Sequence, residues 1–193
     1  MGFEITDGTG KGTSAGVDSN NRLLTSSINE TLFQYAAEEG DAYFIGTPLI
    51  TLTSATDSAI AYIENNEDQS LILGNFFLIA ESTTGGSPSI FRVSWYKNPT
   101  DISLGTSITA LNQNFGSSNE LDATIKYGAQ NSGVSGGTLA AQLSLPIGQF
   151  NTIDANLVLE KGSSFAIVIT PPTGNTSMNV QFATRSIKYF KTY

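Results

Sequence analysis

Residues 157–183 spell out a strand, a stop and a second strand, and few folds accommodate that pattern. Leu157, Val158 and Leu159 run into the polar turn Glu160, Lys161, Gly162, Ser163 and Ser164. Phe165, Ile167 and Ile169 then alternate with Ala166, Val168 and Thr170, a period of two that sends successive side chains to opposite faces. Pro171 and Pro172 cannot donate to a ladder, and Thr173, Gly174 and Asn175 tolerate tight backbone, so the chain must reverse there. Met178, Val180 and Phe182 alternate in turn with Asn179, Gln181 and Ala183, giving one apolar and one polar face. The reading is antiparallel β.

The rest of the chain repeats the theme. Strands are expected at residues 42–45, 49–53, 58–64, 70–80, 89–96, 108–111, 123–127 and 138–145, with a last edge at 186–190. The longest apolar run, residues 70–80, reads as a central strand buried on both faces with a bulge at Gly74. Asn98 and Pro99 are expected to end the strand before them, and Trp95 falls on its core-facing side with Phe91 and Val93. Residues 26–39 read equally well as helix or strand. Ser27 and Glu30 resemble a capping box with Leu32, Tyr35 and Ala36 at helical spacing, yet Thr31, Phe33, Tyr35 and Ala37 also alternate. Short strands at regular spacing with turn residues between them predict an all-β fold, an antiparallel β-sandwich of jelly-roll type over residues 25–193.

Residues 1–24 read as an extended N-terminal arm. Asp7, Gly8, Gly10 and Gly12 lie in a glycine-rich run that buries too little to offset its own ordering, so the arm is ordered only where a partner grips it. The grips are Phe3, Ile5, Val17, Leu23 and Leu24, with Asn21 and Arg22 beside them. The glycine spacing is not a phosphate loop, since no strand precedes it and no Lys-Ser/Thr pair follows. No apolar run is long enough for a membrane-spanning helix and no signal peptide opens the sequence, so no membrane partner is expected.

The chain has no cysteine and no histidine, which removes disulfides, thiolate nucleophiles, the usual neutral-pH base and most transition-metal sites. An enzyme would have to work through carboxylates. Glu38, Glu39, Asp41 and Asp57 are the candidates for an acid and base pair of a carbohydrate depolymerase, but no motif pairs them and the expectation is no enzyme and no cofactor. Glu64, Asn65, Asn66, Glu67 and Asp68 offer oxygen ligands for a hard cation, yet without the loop spacing of a calcium site they read first as an exposed turn. Net charge is −8. The acidic first half repels phosphate backbones, so no nucleic-acid partner is expected, and Arg185, Lys188 and Lys191 read as a solvated strand edge. Trp95 is a core residue first and a carbohydrate platform second.

Several stretches resemble a group of tailed-bacteriophage virion proteins: Asp7-Gly-Thr-Gly-Lys-Gly with Val17 through Leu23, residues 46–68 around Leu49-Ile-Thr-Leu-Thr-Ser, residues 112–118, and residues 161–164 through 171–178. Together they span most of the chain. The resemblance implies a non-enzymatic structural protein of the virion, a head-decoration or head-fibre component, with the arm as attachment device on the major capsid protein or a neighbouring virion protein. It also implies a homotrimer assembled in the host cytoplasm. The alternative is a neck or tail adaptor or a module that recognises host-surface glycan through residues 82–88 or 132–137.

Overall fold

Alternating side chains dominate the observed architecture, which is a sandwich of two antiparallel sheets of jelly-roll type. The structure, a computed structural model, describes residues 31–53, 55–83, 90–173 and 177–189. The proposed arm lies outside them. One helix, α1 (Leu32–Glu39), precedes thirteen strands among the described residues: β1 (Ala42–Gly46), β2 (Ile50–Leu52), β3 (Ser58–Asn65), β4 (Ser70–Ser82), β5 (Ile90–Ile102), β6 (Thr106–Ser107), β7 (Leu111–Asn112), β8 (Ala123–Tyr127), β9 (Val134–Pro146), β10 (Phe150–Ile153), β11 (Leu157–Leu159), β12 (Ser164–Thr170) and β13 (Met178–Tyr189). The seven-stranded sheet runs β10-β4-β13-β1-β7, with β11 on β4 and β2 on β13. The six-stranded sheet runs β6-β8-β3-β12-β5-β9. Most connections cross from one sheet to the other, so β12 and β13 face each other across the core instead of forming a hairpin.

The helix-or-strand stretch is helical from Leu32, and the apparent capping box lies outside the described residues. Gly40, at φ 80°, ends the helix in the left-handed region that glycine enters without a Cβ penalty. Ala36 then packs on Ala42 of β1 and Ile187 of β13, with Phe33 and Ala37 beside them.

The main core lies between the sheets. Ile60, Leu73, Phe76, Phe165, Ile167, Met178, Val180 and Phe182 are among its buried members, and Phe76 sits edge-on to Phe182 with centroids 5.4 Å apart. Both faces of β12 are buried. Phe165, Ile167 and Ile169 enter the main core, while Ala166 and Val168 join a second cluster with Ala59, Tyr62 and Ile102 on the outer side of the six-stranded sheet.

Four expectations need correction. β4 is buried on one face only, since Phe77 and Ile79 on its other face are partly open; its bulge is where expected, Gly74 and Asn75 together opposing Arg185. β5 does not stop at Asn98 and Pro99 but runs on to Ile102. Asn98 takes φ 52°, its Oδ1 accepts the Ser164 N–H, and Pro99 pairs with β9 beyond the end of the β12 ladder, where no donor is required of it. Residues 108–111 form no strand of their own: the chain passes from β6 in one sheet to β7 in the other, leaving Ile108 and Ala110 against the core. Residues 186–190 are no separate edge either, because β13 continues to Tyr189 between β4 and β1.

Candidate functional site

Among the described residues, the outer face of the seven-stranded sheet is covered at one end and open at the other. Helix α1 closes the end around Ala42 and Ile187. Beyond it, Phe44 of β1, Phe77 and Ile79 of β4, Phe150 of β10 and Gln181 and Ala183 of β13 line an apolar trough of about 340 Å³ across four strands. Register builds it: Phe150 opposes Ile79, Ile79 opposes Gln181, and Phe77 opposes Ala183. The Phe77 and Phe150 rings stack at 5.7 Å, yet Phe150 remains 62% exposed. Small residues make the floor, and a Cβ added to Gly46 would stand 3.0 Å from the Phe44 ring. Gln181, whose amide donates to the Thr47 carbonyl at 3.0 Å, is the one polar side chain in the lining. Such a strip is built to meet another apolar surface.

A second concavity, about 270 Å³, opens between β11 and the β5–β12 ladder, lined by Trp95, Tyr96, Lys97, Asn98, Val158 and Phe165 among others. Trp95 is only partly buried and packs against the main core while lining this cleft. Of residues 132–137, Ser132 is buried and Val134 onward belongs to β9, with Ser135, Gly136 and Gly137 exposed. Most of the other loop read as a glycan contact, residues 84–88, lies outside the described residues.

The polar groups at one end of the sandwich are bound to one another. Lys188 is not on a solvated edge; its Nζ lies 2.7 Å from Glu67 Oε1, donates to the Glu120 carbonyl at 2.8 Å and sits 5.4 Å from the Tyr43 ring centre. Glu67 also accepts the Asp122 N–H at 2.7 Å. Burial would lower the lysine's pKa, but its bonding to Glu67 and the neighbouring Tyr43 outweigh that and raise it. Burial raises Tyr43 in spite of Lys188 nearby. Arg185 lies over the Phe33 ring at 5.0 Å, and Lys191 is outside the described residues.

The candidate cation stretch is likewise taken apart by its neighbours. Glu64 accepts the Tyr62 hydroxyl at 2.9 Å, Glu67 takes Lys188, and Asp68 pairs with Lys161. Among the described residues no group of three or more acidic side chains could hold a metal ion together. Asn65 is fully buried, which corrects its reading as part of an exposed turn: its amide donates to the Gln69 and Leu159 carbonyls at 2.8 and 2.9 Å. Of the four carboxylates considered for hydrolysis, Asp57 lies apart from Glu38, Glu39 and Asp41, which follow one another at the end of α1. Asp57 precedes β3 and accepts from Arg92 and Thr170, whereas the Asp41 carbonyl accepts the Lys188 N–H at the end marked by Glu67, just past the other end of β3. Eight residues of strand span about 25 Å, well beyond the roughly 5–9 Å of a glycosidase pair.

The arm residues Phe3, Ile5, Asp7, Gly8, Gly10, Gly12, Val17, Asn21, Arg22 and Leu23 all fall outside the described residues. The sequence reading missed the trough, although its signal was present: the apolar run Phe76 to Ala80 in β4 makes both faces apolar, whether or not both are covered.

No protein-family model matches the chain, and no curated protein matches its sequence. Among solved structures, the Yersinia pseudotuberculosis-derived mitogen is similar over 78% of this chain and 89% of its own, with a TM-score of 0.34 and 8% identity.

Proposed function

We propose that this chain is a non-enzymatic structural component of a tailed-bacteriophage virion, an auxiliary capsid protein of head-decoration or head-fibre kind. It is a homotrimer, assembled in the host cytoplasm and held through residues 1–24 on the major capsid protein or a neighbouring virion protein. The observation that carries this reading is the apolar trough of Phe44, Phe77, Ile79 and Phe150 on a sheet whose other face is a closed core. A protein that works by holding to another protein needs a rigid apolar face more than a reactive cleft. The resemblance to virion proteins supports the same reading, and two of its segments meet around Asn65, where Asn65 N–H donates to the Ser163 carbonyl and the Gly162 N–H to the Asn65 carbonyl.

Co-sedimentation with phage particles from the source tests it. Deleting residues 1–24 is expected to leave a folded oligomer that no longer sediments with particles, and Phe150→Asp in the full chain to weaken binding by about tenfold or more. If both proteins sediment like the parent, the reading is wrong. A second reading, recognition of host-surface glycan or a neck or tail position, draws on the cleft where Trp95 and Tyr96 stand beside Lys97 and Asn98. It predicts whole-cell or glycan-array binding that Trp95→Ala abolishes, and silence on the natural host would count against it.

A further inference from the structure

One flank of the sandwich carries few charges, with Arg92 and Lys97 of β5 beside a β9 that has none. β9 closes the six-stranded sheet on that side, β10 and β11 line β4 on the same side of the other sheet, and Ile147, Gly148 and Gln149 make the corner between them. Gly148, at φ 83°, donates its N–H to the Ala80 carbonyl at 2.7 Å and fixes that corner. From Tyr127 to Leu159 the chain carries a single charged side chain, Asp154. The opposite flank, built from β6, β7 and β8, is where Lys126 pairs with Asp101 and where Glu120, Asp122 and Lys188 gather.

The edge of this flank is unguarded over Ala141 to Leu145. β9 is thirteen residues long and pairs with β5 alone, so along its other side no described strand takes up its N–H and C=O groups. Edge strands are ordinarily protected by charge, proline or bulges. β9 has no charge, and its register shifts fall opposite residues 95–96 and 99–101, leaving Ala141 through Leu145 in regular pairing with Val93 at its centre. Leu139 is 49% exposed, Leu143 39% and Val158, on neighbouring β11, 54%.

Charge names the occupant. Each chain carries −8, so two copies repel wherever their acidic faces meet, and burying those charges would cost several kcal/mol each. The β9 flank is where equal chains approach without that penalty, and in a closed ring each copy can present this free edge to the next. We propose that a second copy of this chain docks on this flank, its contact centred on the free edge of β9 with Leu139 and Leu143 buried between the copies. The proposal deepens the self-assembly part of the reading above and rests on it, while using neither the arm nor any virion surface.

Light scattering and sedimentation of the full chain, without particles, between about 1 and 100 µM test it. The parent is expected to be an oligomer, and the variant carrying Leu139→Lys and Leu143→Lys to dissociate at concentrations about tenfold or more higher, with unchanged circular dichroism. Should that variant fail to fold, Ser144→Cys, a single thiol in a chain without cysteine, is expected to cross-link between copies through a short bis-maleimide. A parent that stays monomeric, a lysine variant that assembles like the parent, or a thiol variant that does not cross-link overturns the proposal. Particle binding is read separately: assembly through β9 without particle binding overturns the virion reading alone, whereas particle binding by a monomeric parent overturns this interface alone.

Discussion

Lys188 shows how far a single residue can depart from its sequence neighbourhood. Among Arg185, Lys191 and two tyrosines it reads as surface, yet its side chain is 12% exposed and Glu67, its partner, 13%. A buried pair of this kind contributes little against an apolar replacement, but removing one member leaves the other charged and unpaired. Lys188→Met is therefore expected to cost about 3 kcal/mol in urea unfolding, and adding Glu67→Leu to recover most of that loss. A cost below about 1 kcal/mol for the single change would mean the pair behaves as a solvated one. Nothing local in the sequence identifies this pair, because Glu67 lies in the turn before β4 and meets Lys188 only once the sheet has formed. Asn65 escaped notice for the same reason. Amid carboxylates it resembles turn chemistry, and its role in binding the β11–β12 turn depends on contacts from far along the chain.

Among the elements, the turn after β8 is the most tightly specified. Gly128 lies so close to β3 that a Cβ would stand 2.0 Å from the Ala59 carbonyl oxygen, a backbone atom that cannot move aside without breaking the sheet. Gly148 has nothing within 4 Å of such a Cβ, and its cost for a side chain is left-handed strain alone. Gly128→Ala is thus expected to destabilise by about 3 kcal/mol and Gly148→Ala by about 1 kcal/mol, compared by denaturant midpoints. The reverse order would refute the close approach. β12 and the first half of β13 were legible because alternation is a property of consecutive residues. β5 past Pro99 was not, since whether proline breaks a strand depends on whether a partner asks for its N–H, and that is settled by which ladder has already ended. The apolar trough and the charge-poor flank were half legible: their compositions are in the sequence, but sheet order brings Phe44, Phe77 and Phe150 together and sets β9 beside β11.

Across the described residues of the whole molecule, three groups besides the exposed Lys161, which Asp68 raises, hold their protons more firmly in the folded state than in the unfolded chain. Burial first, then the Glu64 carboxylate, push Tyr62 up to about 12; burial raises Tyr43; and Lys188 is raised by Glu67 and Tyr43 against the opposing effect of burial. A raised pKa contributes stability that is complete below the unfolded value and disappears as pH climbs through the folded one. Unfolding free energy is therefore expected to begin falling near pH 10, the unfolded tyrosine value, and to keep falling toward pH 12. Tyr62→Phe should flatten that decline by about 2 kcal/mol between those limits, and an equally steep curve for parent and variant in urea titrations would remove Tyr62 from the account.

The pairing of Ala42 with Ile187 carries a mechanical consequence. The entrance to β1 and the exit of β13 lie side by side on neighbouring antiparallel strands, so a pull between these two points loads their hydrogen bonds one pair at a time, like a zip. A pull between the entrance to β1 and the far end at Met178 instead acts along the strands and strains the shared ladder as a whole. The same sandwich is thus brittle toward one direction of tension and tough toward the other, and a load taken up at the start of β1 is borne best when it is opposed from the β2 end of the sheet.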